Sequence, residues 1–292
     1  MMKTVLLKAL FLFLITITTQ AYATIMVGAK GGYLLWRPFI KDFPYDWAYT
    51  VNKGNGYMAG PLMSISLTDD FAVTLAAFFG QQRTSWNHIT PEQTQIAFAD
   101  YSMKAKRYDI DSAINYALTA YIKIFTGYKY QYFNVNIKES KIGYHDISTV
   151  NYISFSTFSY KTPSHGPALG VGLAYSLNET YFVTSNISFI YFINSKINAD
   201  LDSIIIHYPG YTTPYLKLKF DLLQYGINVE PSIGAKIGQS LIVSVCPRFV
   251  WVRMKLKNNV IPIPIPTQTL YKKGDVWHDY IYGVFISAIY MI

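Results

Sequence analysis

Residues 222–238 alternate between two kinds of position. Every second residue from Leu223 to Ile237 is apolar, whereas the residues between them, from Gln224 to Lys236, are polar or glycine. A period of two places these two sets on opposite faces of a β-strand. A run of about fifteen residues exceeds the roughly 3–10 residues of most globular strands. The pattern therefore predicts a long strand with one apolar and one polar face.

The same alternation recurs along the whole chain and predicts ten strands. The predicted strands are 25–36, 56–67, 71–83, 107–118, 122–134, 166–177, 181–193, 221–237, 241–253 and 278–292. Four three-residue turns, at 68–70, 119–121, 178–180 and 238–240, join neighbouring strands. An odd number of intervening residues keeps opposed residues on one face of an antiparallel pair. All four junctions satisfy this rule.

The other five connections are long. They run for roughly 20–30 residues each, are centred near residues 46, 95, 150, 207 and 267, and exceed the usual loop lengths of compact domains. Short turns at one end and long loops at the other are typical of transmembrane β-barrels, in which closure satisfies every backbone polar group without water. We therefore predict an all-β fold, a closed antiparallel transmembrane barrel of about ten strands with short periplasmic turns and long extracellular loops.

The alternative is a secreted β-sandwich or a soluble barrel, whose apolar face would point inward and whose outer face would be charged. Here the face opposite the apolar one consists mostly of glycine, serine, asparagine and alanine. These residues are too small and uncharged for a soluble exterior, so the membrane barrel is favoured.

Composition agrees with a membrane location. Of the 292 residues, 51% are hydrophobic and 17% aromatic but only 14% are charged, and 26 are tyrosines. Tyrosine suits a boundary between apolar and aqueous phases. Beyond the first twenty residues no run of about 18 apolar residues occurs, so the sequence predicts no membrane-spanning helix. No shift in composition divides the chain into two domains.

The N-terminus has the pattern of a secretory signal. Two lysines precede an apolar core at 9–17, and Ala21 and Ala23 form a small-x-small cleavage site before Thr24. The predicted division is a cleaved signal peptide at 1–23 and a barrel domain at 24–292. Cys246 is the only cysteine, which excludes a lipid-modified N-terminal cysteine and an intrachain disulfide.

The chain ends in "SAIYMI" and resembles the outer-membrane β-barrel proteins of Gram-negative bacteria. Such proteins end with a small residue, an aromatic residue and a terminal aromatic, and Ser287, Tyr290 and Ile292 occupy these places. The terminal isoleucine departs from the pattern. The resemblance implies recognition by the barrel assembly machinery, contact with outer-membrane lipids and lipopolysaccharide, and both termini in the periplasm. Ten strands resemble the omptin proteases and Opc-type adhesins more than the eight-stranded OmpA or OmpW type.

The turns also predict which inward residues face one another. Register through Gln239 and Ala120 gives three opposed pairs, Glu230 with Arg248, Asp111 with Lys129, and Asp109 with Gln131. A buried charge without a partner is costly, so such pairs are expected. They are interpreted as structural braces, or alternatively as a charged constriction that selects solutes.

Three further bases, Lys30, Lys123 and Lys236, are assigned to the lumen. With Lys129 and Arg248 they make five inward bases against three inward acids. A narrow channel that slightly prefers anions is therefore one alternative. A general diffusion porin is not supported, because such proteins have about 16 strands.

An outer-membrane protease or lipase is the third alternative. The resemblance to omptins directs attention to Asp109-x-Asp111 and to His278-Asp279, and the lipid-modifying barrels to Ser164-His165. Adjacent residues on a strand face opposite sides, so neither His278 with Asp279 nor Ser164 with His165 is expected to act as a pair. We assign no catalytic residue, cofactor or metal, since the five histidines lack metal-ligand spacing.

The long connections favour a surface role. "WRPFIKDFPYDW" and "VIPIPIPTQTLYKKGDVW" combine aromatic residues with stiff proline-rich segments, which can bind an extracellular ligand. Alternatively, such segments cap the barrel or extend its strands. Without the two signal-peptide lysines the net charge is +6, which suits a phosphate-rich leaflet, and no basic run is dense enough for nucleic acid. The predicted function is a surface-exposed structural or adhesin-like role.

Overall fold

The fold is described from a computed structural model. It describes residues 24–39, 53–92, 95–144, 153–206, 212–258 and 273–292. Ten strands account for nearly all of them: β1 (Ile25–Arg37), β2 (Gly54–Ser66), β3 (Phe71–Glu92), β4 (Gln95–Ala117), β5 (Ile122–Tyr144), β6 (Ile153–Ser176), β7 (Tyr181–Ile206), β8 (Thr212–Ile237), β9 (Leu241–Leu256) and β10 (Val276–Met291). No helix in the described part of the chain is long and apolar enough to cross a membrane.

The ten strands form one closed antiparallel barrel. Each strand pairs with its neighbours in sequence, and β10 closes the sheet by pairing with β1 from Tyr290–Val27 to Tyr280–Arg37. Closure leaves no free sheet edge. The predicted fold class and strand number are confirmed.

The four predicted turns join the strands at one end, here called the turn end. Thr68, Thr119 and Asn178 open three of them, and their side-chain oxygens accept hydrogen bonds from backbone N–H groups two and three residues later. Such side-chain contacts are a common way to stabilise tight turns. The fourth turn contains Gly238 at φ 64°, where glycine avoids the strain of a side chain.

The opposite end, here called the loop end, differs from prediction. Strands β3 to β8 are 22–26 residues long and occupy most of the predicted long loops near 95, 150 and 207. The predicted lengths of these three loops are therefore wrong. Only 93–94, 145–152 and 207–211 lie between the strand ends, outside the described residues, as do 40–52 and 259–272 in the other two connections.

Near the turn end the barrel has an apolar outer face. Leu169, Ile187, Ile233 and Ile286 point outward and are about half exposed or more, whereas most inward positions carry small or polar residues, with exceptions such as Phe285. Two rings of outward aromatic residues border this apolar outer face. The ring nearer the loop end contains Tyr33, Tyr57, Phe79, Tyr108, Tyr130, Tyr191 and Tyr282, and the turn-end ring contains Phe71, Tyr116, Tyr121, Tyr175, Tyr181 and Tyr290.

The spacing of the rings fits a bilayer. Tyr108 and Tyr116 are eight residues apart on β4. At ~3.4 Å per residue and a strand tilt of about 40°, this separation corresponds to roughly 20 Å. Aromatic girdles of membrane barrels flank an apolar band of about 25 Å. We call this part of the barrel the lipid band.

Beyond the lipid band the two faces exchange character. On β4, Met103 and Ala105 point inward and are buried, while Lys104 and Lys106 are exposed outward. On β5, Val135 is buried in the same way. An apolar interior and a polar exterior are the pattern of a water-soluble barrel. The predicted strands end at this exchange because the prediction required an apolar outward face along the whole strand. The predicted strands are therefore shorter than the observed ones.

The interior of this loop-end extension is a packed apolar core, here called the apolar plug. Its members include Leu34, Trp36, Met58, Trp86, Met103, Val135, Ile137, Ile197, Leu222, Val252, Met254, Leu256, Trp277 and Ile281. Trp36 stacks on Phe133 with ring centroids 5.8 Å apart. The plug fills the barrel interior above the lipid band.

The assignment of the two zones predicts different effects of one substitution. Val171→Arg or Ile227→Arg, outward in the lipid band, should lower the free energy of unfolding in liposomes by roughly 2–4 kcal/mol near the midplane. Asn198→Arg, which is also outward but lies beyond the band, should change it by less than about 0.5 kcal/mol. Urea unfolding monitored by tryptophan fluorescence measures both. Equal losses at the two levels would contradict the assignment.

Candidate functional site: a charged belt beneath the apolar plug

Ionic side chains cluster inside the barrel just below the apolar plug. We call the cluster the charged belt. Its members are Lys30, Arg107, Asp109, Asp111, Lys129, Glu230 and Arg248. They come from β1, β4, β5, β8 and β9, so the belt exists only because the sheet closes.

One half of the belt lies on β4 and β5. Arg107 binds Asp109 with two hydrogen bonds, Nε to Oδ1 at 2.8 Å and Nη2 to Oδ2 at 2.7 Å. Lys129 Nζ lies 2.6 Å from Asp111 Oδ1 and 3.5 Å from Asp109 Oδ2. Asp109 and Arg107 are almost fully buried. Two-point binding fixes the orientation of both side chains.

The turn-derived register is present here. Asp111 opposes Lys129 and Asp109 opposes Gln131 in the β4–β5 ladder. Gln131 is buried beside Asp109, but the ionic partners of Asp109 are Arg107 and Lys129. Sequence reasoning missed Arg107. It lies two residues before Asp109 on the same face, and the predicted strand began at 107, so its inward direction was readable from the alternation.

The other half of the belt centres on Glu230. Its Oε1 lies 3.0 Å from Arg248 Nε, and its Oε2 accepts a hydrogen bond from Lys30 Nζ at 2.7 Å. Asn228 donates to Glu230 at 3.1 Å and accepts from Arg248 at 3.2 Å. Both cations also lie over the ring of Phe285, at 5.2 and 5.8 Å. Glu230 therefore ties β8 to β9 and, across two further strand boundaries, to β1.

The two halves are electrostatically connected across the lumen. Arg248 lies within electrostatic range of Asp109 and Asp111 as well as Glu230. The belt contains four bases and three acids, so its charges nearly cancel. Such near-neutrality is what burial requires.

Two predicted luminal bases lie outside the belt. Lys123 is half-buried nearer the turn end, and its chain lies so close to Gly172 that a side chain there would collide with it. Lys236 is exposed at the rim beside the 238–240 turn. The number of inward bases therefore stays at five, but the prediction of Lys236 is wrong and Arg107 takes its place.

The His278-Asp279 pair is divided between the two faces of β10. His278 points outward and stacks on Trp251, with ring centroids 6.0 Å apart. Asp279 points inward, where it is buried and accepts a hydrogen bond from Trp36 Nε1 at 2.5 Å. The two side chains do not meet.

The Ser164-His165 pair is divided in the same way on β6. Ser164 is buried and hydrogen-bonds to Ser195 and to Gln224, each at 2.9 Å. His165 lies outward and hydrogen-bonds to the hydroxyl of Tyr128. The acids of the Asp109-x-Asp111 motif are occupied by Arg107 and Lys129. Within the described residues, neither neighbour pair forms a nucleophile–base contact.

The C-terminal residues lie at the turn end. Ser287 is buried and hydrogen-bonds to Ser244 at 2.7 Å, and Tyr290 belongs to the turn-end aromatic ring. The N–H of Ile292 donates to the carbonyl of Ile25 at 2.8 Å, which completes the closure. Thr24 is exposed beside them, whereas the signal-peptide residues Ala21 and Ala23 lie outside the described residues. No group of three histidine, cysteine or acidic residues suited to a metal occurs in the described ranges.

Comparison with known proteins supports the fold. The outer-membrane protease OmpT of Escherichia coli is similar over 92% of this chain and 96% of its own, at a TM-score of 0.52 and 13% identity. Ail of Yersinia pestis (TM-score 0.31, 7% identity, 92% and 97% coverage) and a FadL homologue of Pseudomonas aeruginosa (0.32, 8%, 92% and 89%) also match. No protein-family model and no curated sequence matches the chain. The chain thus has the fold of outer-membrane β-barrels.

The belt predicts an energetic coupling between Glu230 and Arg248. Removing one charge, by Glu230→Gln or Arg248→Gln, should lower the free energy of unfolding by up to ~3–5 kcal/mol, because a buried ion loses its partner. Luminal water and Lys30 reduce the loss at Glu230, which is the less buried member of the pair. The double variant should recover part of it, with a coupling above ~0.5 kcal/mol. Additive losses in a urea-unfolding cycle would contradict the brace.

Proposed function

We propose that the protein is a closed outer-membrane barrel that displays its loop-end extension at the cell surface in a structural or adhesin-like role. The observation that carries this proposal is the exchange of faces above the lipid band. A polar exterior around an apolar plug is a structure that is stable in water. Six long strands, β3 to β8, continue into the loop-end extension. The extension is therefore a rigid platform rather than a set of loops.

The outer face of this extension is strongly basic. We call these outward and rim residues the basic collar: Arg37, Lys53, Arg83, Lys104, Lys106, Lys138, Lys161, Lys196, Arg253, Lys255, Lys257 and Lys273. Among the side chains described on the same surface, the acids are Asp200, Asp221 and Asp275. Such a surface attracts phosphate and other anionic groups.

The collar also supports an orientation. It lies directly beyond one aromatic ring, where the phosphates of lipopolysaccharide would meet it. The turns at the opposite end carry Asp69, Asp70 and Glu179. We propose that the loop end faces outward, and that both termini, which lie at the turn end beside Thr24 and Ile292, face the periplasm.

The partner of an adhesin-like surface with this charge would be anionic. The collar continues outward along β4 and β9, from Lys106 to Lys104 and from Arg253 to Lys255. An acidic polysaccharide is the class of ligand that such rows favour. The aromatic and proline-rich segments at 40–52 and 259–272 lie outside the described residues, and their part in binding stays a prediction.

The other two candidate functions have less support. A narrow channel needs a continuous polar lumen, but the apolar plug occupies the interior above the charged belt. A hydrolase needs a nucleophile beside a base, and the pairs with histidine are split between opposite faces of their strands.

A closed barrel predicts little ion flow. Refolded protein in planar bilayers should show no steady single-channel conductance in 1 M KCl, because the plug leaves no water path along the axis. A 16-stranded porin reconstituted in the same lipid serves as the positive control. A stable conductance that reverses at an anion-selective potential would favour the channel instead.

The collar predicts salt-dependent binding of a polyanion to intact cells. Lys104→Gln with Lys106→Gln should weaken binding of fluorescent heparin by up to roughly thirty-fold at low salt, since each lysine contributes ~1 kcal/mol at an anionic surface. Flow cytometry of expressing cells measures it. Lys236→Gln, at the turn end, is the matched control and should have no effect. Weaker binding in Lys236→Gln alone would indicate that the turn end, rather than the loop end, faces outward.

A further inference from the structure

Two prolines oppose each other in the wall of the barrel. Pro231 on β8 and Pro247 on β9 lie midway between the paired residues Val229–Phe249 and Ile233–Val245, and the ladder is interrupted over this interval. Both prolines point outward within the lipid band. We call this interval the β8–β9 seam.

The two prolines occupy positions at which other residues would each donate a backbone N–H to the opposite strand. In three other hairpins, the outward residue that closes the pair donates its N–H to the opposed carbonyl, as from Leu67 to Phe71 at 2.7 Å and from Leu177 to Tyr181 at 2.9 Å. Hydrogen-bonded pairs recur at every second residue, so outward positions are the donor positions. Proline has no N–H. Both hydrogen bonds of the Pro231–Pro247 pair are therefore missing, and the ladder is open for four residues, about 13 Å of wall.

A gap in the ladder is costly in hydrocarbon, where water cannot replace the missing partners. Central strands therefore usually exclude proline. Here two prolines coincide at one level on neighbouring strands. The β4–β5 ladder is continuous from Tyr101 to Ala117 at the corresponding depth, which shows that the barrel can satisfy its backbone there.

Side chains replace the missing ladder from the inside. Glu230 and Arg248 are the inward neighbours of the two prolines, and their ion pair spans the seam directly behind them. Lys30 holds Glu230 from β1. The thiol of Cys246 on β9 donates a weak hydrogen bond to Oε2 of Glu230 on β8, at 3.9 Å. At this level the two strands are joined by charged side chains and one weak hydrogen bond.

The lipid side of the seam is hollow. A groove of about 480 Å³ lies over it, with Pro231 and Pro247 in its lining and Tyr33, Phe249 and Tyr282 among its walls. Nearly all of its lining is apolar. Pro231 and Pro247 lie within the lipid band, where the bilayer presents acyl chains to the groove, and Cys246 is the inward neighbour of Pro247 on β9.

We propose that the β8–β9 seam is a lateral latch, which opens to admit an acyl chain from the bilayer and which Glu230 holds shut from the lumen. Opening requires no ladder hydrogen bond to break between Val229 and Ile233, because none is available at Pro231 and Pro247. It requires only that Glu230 release Arg248. The plug blocks the axial route, so the seam leads sideways from the polar lumen at the turn end.

The native cysteine provides the test. Cys246 is the only cysteine and is buried at the seam, so its alkylation reports opening. The folded protein in liposomes is treated either with N-dodecylmaleimide dissolved in the lipid or with a charged methanethiosulfonate present on both sides. Mass spectrometry gives the rate for each reagent, and heat-modifiability on gels confirms that each variant is folded.

Two changes at the seam should act in opposite directions. Pro231→Ala restores a donor to the ladder without altering the lumen and should slow alkylation by the lipid reagent roughly two- to ten-fold, the effect of one hydrogen bond. Glu230→Gln removes the latch and should accelerate it by at least that factor. Lys123→Gln is the matched control, because it removes a luminal charge that lies outside the charged belt and beside regularly paired strands, and its rate should equal that of the wild type.

Three results would overturn the latch. Unchanged reactivity of Pro231→Ala would mean that the missing donor does not govern access. Equal acceleration by Glu230→Gln and Lys123→Gln would indicate that loss of any luminal charge loosens the barrel. Acceleration seen only with the charged reagent would place the route through the lumen. None of these outcomes depends on the proposed surface role, which rests on conductance and polyanion binding.

Discussion

The rest of the structure depends on the requirement that backbone N–H and C=O groups be satisfied where water is absent. A sheet meets it in a membrane only by closing, and here closure runs from the β1–β10 ladder to the Ile292–Ile25 hydrogen bond at the chain ends. Closure then determines which residues share an interior. Lys30 and Glu230 are 200 residues apart in sequence and meet because β1 and β8 face the same narrow lumen.

The same strands pass through two solvents, and this explains the remaining architecture. Alternation continues without interruption from Tyr101 to Ala117 on β4 and from Ile122 to Lys138 on β5, but the apolar face changes from the outside to the inside where the surroundings change from hydrocarbon to water. Below this level the lumen is polar and small side chains line it. Above it the interior becomes a hydrophobic core, with Val135 and Ile137 fully buried. The charged belt lies at the boundary, where buried polar and apolar layers meet and where ion pairs must compensate one another.

At the β8–β9 seam the backbone by itself does not meet this requirement. Pro231 and Pro247 remove two donors, and Glu230 receives side-chain contacts from Arg248 and Cys246 on the luminal side. The ion pair between Glu230 and Arg248 therefore has a structural role that the pair Asp111–Lys129 does not have. One replaces ladder bonds, and the other lies beside a complete ladder.

The sequence by itself determined the local geometry. Period-two alternation identified ten strands, and three-residue turns specified the register that brings Glu230 to Arg248 and Asp111 to Lys129, because opposed residues across a tight turn are related by simple counting. The direction of Arg107 was also available from alternation with Asp109. The strand ends at the loop end could not be predicted from alternation. The prediction assumed an apolar exterior along each strand, whereas the environment changes beyond Tyr108 and Tyr132. Only the tertiary structure decided how the inward residues combine. The bidentate contact of Arg107, the reach of Lys30 to Glu230 and the filling of the lumen by Trp36 and Trp277 depend on barrel width and curvature, which place residues of distant strands within contact distance and are not encoded in the pattern of any one strand.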